Sequence, residues 1–150
     1  MANKAGWKQG KFKPKNPNKY KGDLNNIIYR SSWELEAFDF CDNNLRVIHW
    51  ASEEIVIPYA MPMPNGGVRS AKYFPDLYME YRRSDGKVVR DLIEIKPYKQ
   101  TKASRSRNPK NKMYENAVHM KNQLKWEAAR VWCGLNGMNF RLLTEKEQFN

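Results

Sequence analysis

Three adjoining runs decide how this chain is read: Phe74-Pro75-Asp76-Leu77-Tyr78-Met79-Glu80-Tyr81, then Ser84-Asp85-Gly86-Lys87, then Val88-Val89-Arg90-Asp91-Leu92-Ile93-Glu94-Ile95-Lys96. Both outer runs are rich in β-branched and aromatic residues, and Asp-Gly sits between them. That pattern predicts a β-hairpin. Side chains alternate along a strand, so Glu94 and Lys96 share a face, about 7 Å apart along the chain. Asp76 shares a face with Phe74 and Tyr78, while Leu77, Met79 and Tyr81 point the other way. A carboxylate on each strand with a lysine beside one of them can bind a metal ion and hold a water molecule next to a cation.

Working outward, 150 residues make one domain with room for a single core. Cys41 and Cys133 each fall in an apolar helical pattern and are expected to be reduced, buried thiols. No Cys/His cluster has zinc spacing. No stretch approaches the roughly 18 apolar residues of a membrane span, and no secretory leader is evident. The expected compartment is a cytoplasm.

The net charge is +11. Residues 1–22 carry seven lysines and no acid, and Lys99 to Lys112 carries six basic residues and no acid. Clustered Lys and Arg gain by releasing counterions from a nucleic-acid backbone. Neither segment pairs its charge with an apolar helical face, which argues against a membrane surface. The expected contacts are Lys11, Lys13 and Lys15 in the first segment and Lys99, Lys102, Arg105 and Arg107 in the second.

Residues 1–22 are polar and aperiodic, so a flexible basic arm is expected there, with the domain spanning 23–150. Trp7, Phe12 and Tyr20 within it can either stack on bases or dock on the domain. Ser31-Ser32-Trp33-Glu34 has the spacing of a capping box and predicts a helix over about 32–42. Trp33, Ala37, Phe38, Phe40 and Cys41 fall in its apolar arc, with Leu35, Glu36, Asp39 and Asp42 outside. Glu34 lies inside the arc, where a carboxylate is costly unless paired or metal-bound. It carries two readings: a helix cap, or a member of the site. Arg30, Ser31 and Ser32 can reach phosphates, although capping already accounts for a serine there.

Strands follow at about 46–50 and 54–60, the second at an edge or broken because Pro58 cannot donate to a ladder. Asn65-Gly66-Gly67 turns the chain back. After the hairpin, Asn108-Pro109 opens a helix that runs to about Gly134. Its expected core stripe is Ala117, Met120, Leu124, Ala128 and Val131. A last strand spans about 139–143. The fold class is therefore α/β, a mixed sheet flanked by two main helices.

Asp76 after Pro75, followed by Glu94-Ile95-Lys96, resembles the motif of the PD-(D/E)XK nuclease superfamily. An acid-bearing helix before the sheet matches that superfamily's restriction-endonuclease-like core. Longer segments resemble the head-completion nucleases of T-even-type tailed phages. They are Gly10-Lys11-Phe12-Lys13-Pro14-Lys15, Asn25 through Glu34, Glu94 through Thr101, and Leu143-Thr144-Glu145-Lys146-Glu147. The Arg-Ser-x-Trp-Glu style of helix also resembles transposon-end nucleases.

The resemblance implies that Asp76, Glu94 and the Ile95 carbonyl hold Mg²⁺ or Mn²⁺, hard cations that prefer oxygen. It implies that Lys96 positions or deprotonates the attacking water, and that Glu34 completes the site through water. Gln123 and Lys125 lie where related nucleases carry a supporting polar residue. His49 and His119 have no ligand-like company and are expected to be bystanders.

The resulting expectation is a metal-dependent DNA nuclease of a tailed phage, processing DNA at packaging and completing the head. Its partners would be DNA and capsid or portal-vertex proteins, in the host cytoplasm or on the virion. Two other readings remain: a non-catalytic DNA-binding head-assembly protein on the same fold, and a basic RNA-binding protein.

Overall fold

The computed structural model describes residues 9–146. Its elements, in chain order, are β1 (Gly10–Lys11), β2 (Ile28–Tyr29), α1 (Ser32–Asn43), β3 (Val47–Ala51), β4 (Ile57–Pro62), β5 (Val68–Tyr73), β6 (Leu77–Arg82), β7 (Val88–Ile95), α2 (Pro109–Leu135) and β8 (Asn139–Leu143). The central sheet has the order β3-β6-β7-β8. Its first two pairings are antiparallel, and β8 joins β7 in parallel after the α2 crossover. The expected α/β mixed sheet with two helices is what forms.

The hairpin follows its turn chemistry. Gly86 has φ 88°, Arg83 and Lys87 close the loop, and the Lys87 N–H donates to the Asp85 carboxylate. A positive φ costs glycine little, which is why Asp-Gly suits the turn. Leu77 then faces Ile93 across the ladder.

Alternation along the strands divides the core in two. Leu77, Met79, Ile93 and Leu143 pack with Ala37, Phe38 and Cys41 of α1. Leu92, Phe140 and Leu142 pack on the other side with Trp126, Ala129 and Cys133 of α2 and with the β4–β5 hairpin. Cys41 and Cys133 are free and buried. Pro58 lies in β4, which among the described residues pairs only with β5, so it meets the edge-strand requirement. Among the described residues no helix is long and apolar enough to cross a membrane.

Four expectations need correction. The segment expected as a flexible arm, residues 1–22, is part of the fold from Gly10 onward. β1 pairs with β2, and the Phe12 N–H donates to the Ile27 carbonyl at 2.7 Å. Phe12 is 8% exposed and sits edge-on to Phe38 and Trp50, while Tyr20 is 6% exposed and edge-on to Trp50. Of the three aromatics, Phe12 and Tyr20 dock on the domain, and Trp7 lies outside the described residues.

The same strap explains the second correction. Asp42 was placed outside the apolar arc of α1, yet it is buried. Its two carboxylate oxygens accept the backbone N–H groups of Lys15 and Asn16, and its carbonyl accepts from the side chains of Asn16 and Lys19. A buried carboxylate is tolerated when donors reach it.

The third correction is the phase of α2. Its buried residues are Asn122, Trp126, Ala129 and Cys133, whereas Met120 and Val131 are exposed. The first half of the helix stands clear of the sheet, so Met120 carries no information about the buried side, and Val131 lies on the solvent face of the second half. The fourth is β5, which was not expected as a separate strand. Its Arg69, Ser70 and Lys72 face solvent and dilute the strand signal.

Candidate active site

The ladder register brings the hairpin residues together. With Leu77 opposite Ile93, Asp76 enters the sheet beside Glu94 and Ile95. The Ile95 N–H donates to Asp76 Oδ2 at 2.8 Å. Asp76 Oδ1 accepts from no described residue. Glu94 is 7% exposed, and its Oε1 accepts from the Tyr73 hydroxyl at 2.7 Å. Its Oε2 lies 3.3 Å from Lys96 Nζ. The backbone alternation that put Glu94 and Lys96 on one face thus also sets their side chains in contact. Lys96 is held by the neighbouring strand, since its N–H donates to the Leu143 carbonyl.

Burial, then the nearby Glu94 carboxylate, pushes the Asp76 carboxyl well above the usual range. Glu34 pushes it the same way, and the Ile95 N–H and Lys96 oppose both. Two carboxyl groups in one half-buried pocket cannot both ionise cheaply without a cation. Burial likewise raises the Tyr73 hydroxyl, keeping it a proton donor to Glu94.

Glu34 sits in the first turn of α1. The Ser31 hydroxyl accepts its N–H at 3.1 Å, and its Oε1 accepts the Arg30 N–H at 2.8 Å. The cap therefore forms, but the carboxylate reaches Arg30 rather than the Ser31 N–H of a standard box. Burial raises the Glu34 carboxyl above its usual value, the Arg30 N–H opposes this, and Glu53 and then Glu94 add to the rise. Its charge is felt at the hairpin, yet it does not close a ligand cage there. Among the described residues no three His, Cys, Asp or Glu side chains are grouped so as to hold a metal ion.

Of the two supporting candidates on α2, Lys125 is oriented toward the site and Gln123 is exposed. Lys125 Nζ lies 5.6 Å from the Tyr73 ring centre. Burial and Lys121 lower its pKa, while Glu94 and Asp76 raise it. Tyr73 itself was missed by sequence reasoning. It ends the strand that was also missed, and a tyrosine three residues before an acid carries no signal of its own.

The expected phosphate contacts divide. Lys11, Lys13 and Lys15 are exposed along the strap. Arg30 is tied to Glu53 at 2.6 Å. Lys99, Lys102, Arg105 and Arg107 are exposed in the loop that leaves β7 directly after Lys96. His49 Nδ1 lies 2.7 Å from Glu80 Oε1 on the far part of the sheet, a structural pairing. His119 keeps a buried Nδ1 without a partner among the described residues.

No solved structure matches the chain significantly. The head completion nuclease of Enterobacteria phage T4 is 37% identical over 142 residues, which cover 91% of this chain and 90% of that protein. Residues 44–145, from the end of α1 through the last strand, match the model of the TnsA-like endonuclease N-terminal family. That span contains Asp76, Glu94 and Lys96 but not Glu34. The chain belongs to the TnsA-like endonuclease N-terminal family.

Proposed function

We propose that this chain is a metal-dependent DNA nuclease of a tailed phage, acting in the infected host cell to process DNA at packaging and complete the head. The observation that carries the reading is the meeting of Asp76, Glu94 and Lys96 at the end of the β6–β7 hairpin in a chain of an endonuclease family. The phage setting is supported by the likeness to the phage T4 head completion nuclease. DNA as substrate, and capsid or portal-vertex proteins as partners, belong to the same proposal.

The donor set suits Mg²⁺ or Mn²⁺. It is all oxygen, with Asp76 Oδ1 open and Glu94 beside it, and the Ile95 carbonyl would add a further ligand. The mutual repulsion of the two carboxyls is relieved by a divalent cation. When bound, such an ion acidifies water and neutralises charge developing on the phosphate. Lys96, in contact with Glu94, would orient the attacking water and ease its deprotonation through its positive charge. Tyr73 would fix the Glu94 carboxylate, and Lys125 would add positive charge where the phosphate arrives. Glu34 would act from the outer side of the pocket, through water. The exposed lysines of the strap and of the 99–107 loop would hold the backbone on either side.

Plasmid nicking with and without Mg²⁺ tests the reading. Cleavage should require the metal and vanish in Asp76→Ala and Glu94→Ala. Wild-type cleavage by either variant rules the site out. A chain that binds DNA but never cuts it supports a non-catalytic assembly protein instead.

A further inference from the structure

Between the loop at 98–106 and the first half of α2 lies a cavity of about 1080 Å³. It is as large as the upper range of small-molecule clefts. The loop is tied to the helix at one point. The Ser104 N–H donates to Asn116 Oδ1 at 2.9 Å, and the Ser104 hydroxyl donates to Glu115 Oε1 at 2.6 Å. Lys99, Lys102 and Arg105 stand along one wall, and Tyr114, His119 and Asn122 along the other.

Two features of the inner wall call for an occupant. His119 Nδ1 is buried without a hydrogen-bond partner among the described residues, and Asn122, three residues on along the same wall, is 7% exposed. An unpaired buried ring nitrogen is costly, and this one borders the cavity. Tyr114 is 71% exposed and has no ring partner among the described residues, whereas the Tyr98 ring is already covered by Lys146. The cavity also adjoins the hairpin site. Tyr98 follows Lys96 by two residues, and Asn122 lies one turn of α2 from Lys125, whose charge reaches Glu94 and Asp76.

We propose that this cavity receives one unpaired nucleotide of the DNA strand next to the cleaved phosphate. An amide that both donates and accepts matches the edge of a base. A free tyrosine face matches its ring, and lysines and arginine match its phosphate. A base within a duplex has its edge paired and its faces stacked, so only an unpaired nucleotide satisfies both walls. The preferred substrate is therefore DNA with a single-stranded tail, gap or flap rather than continuous duplex. This rests on the DNA-processing reading and narrows its substrate.

The test measures binding of the full chain by fluorescence anisotropy in EDTA, where no cleavage occurs. The probes are a blunt duplex, the same duplex with a short single-stranded tail, and deoxyadenosine monophosphate. The tailed duplex should bind about tenfold tighter than the blunt one, within what one base–aromatic stack supplies. Tyr114→Ala should abolish that ratio and leave blunt-duplex affinity within about twofold, while Tyr114→Trp keeps it. Asn122→Leu should lower the ratio, and a thermal melt checks that the buried change leaves the fold intact. Equal affinity for tailed and blunt DNA, or a ratio untouched by Tyr114→Ala, overturns the inference. So does mononucleotide binding as tight as the tailed duplex. Nicking is scored separately, so a nuclease without the ratio loses only the pocket, and a ratio without nicking loses only the nuclease.

Discussion

Glu34 is the site residue whose role one substitution can decide. In Glu34→Gln the side-chain oxygen still accepts the Arg30 N–H, now 2.8 Å away, and Ser31 still caps the helix. Only the charge is lost. Replacing a charged acceptor by a neutral one costs about 1 kcal/mol, and loss of the helix-dipole interaction up to about 1 kcal/mol more. Against this, the fold disfavours the ionised carboxyl, chiefly through burial, with Glu53 and then Glu94 adding to it. The opposing effects leave the metal-free protein within about 1 kcal/mol of wild type, or about 2–4 °C in Tm. The sign depends on pH. Because the folded pKa is raised above the ordinary 4.5, the repulsion that Gln removes is present above the folded value. It fades as pH falls through that value and is gone below 4.5. The Gln variant should therefore look better relative to wild type at neutral than at acidic pH. In nicking assays kcat/KM should fall about a hundredfold, equivalent to about 2.7 kcal/mol, with a higher Mg²⁺ requirement. Full activity with an unchanged Mg²⁺ titration would refute the reasoning and leave Glu34 as a cap alone. Glu34→Ala cannot make the distinction, because it also strips the Arg30 N–H of its acceptor.

Lys96→Ala should lose nearly all cleavage while retaining DNA affinity, measured by nicking and by anisotropy in EDTA. Metal-free Asp76→Asn should melt at or above the wild-type temperature at neutral pH, and that advantage should disappear on acidification below the ordinary Asp value of 3.8, since its folded carboxyl is raised. Phe12→Ala removes a buried ring from Phe38 and Trp50. It should cost about 3–5 kcal/mol, about 6–20 °C in Tm, and an unchanged melt would mean the strap contributes nothing to the core. Replacing Lys11, Lys13 and Lys15 together by Ser should flatten the slope of log affinity against log salt by about 0.9 per lost phosphate contact, about 2.7 if all three touch DNA. An unchanged slope would assign the strap to another partner.

The hairpin and its acids were legible because their signals are local. Asp85-Gly86 dictates the turn, and alternation dictates that Glu94 and Lys96 share a face. Asn108-Pro109 likewise marked the start of α2, where Asn108 accepts the Lys110 and Asn111 N–H groups. What failed depends on distant partners. Phe12 and Tyr20 look like stray aromatics in a basic tail until Trp50 is in place. Asp42 looks solvent-facing until Lys15 and Asn16 fold over it. The α2 stripe was misread because Met120 and Val131 are apolar but exposed, while the buried set includes the polar Asn122. The site's acids could be named from sequence; Tyr73 could not, since only the β4–β5 hairpin carries it to Glu94.

The first four turns of α2 and the loop before it stand apart from both halves of the core. Met113, Tyr114, Val118 and Met120 remain exposed there. Mutational tolerance should consequently be uneven along the chain. A saturation library scored for folded yield should accept nearly any residue at the exposed positions of 99–107 and 110–121, and few at 77, 92 or 126. A lineage could then exchange one preferred DNA structure for another through this one thinly anchored segment, while the hairpin that carries the acids stays constant.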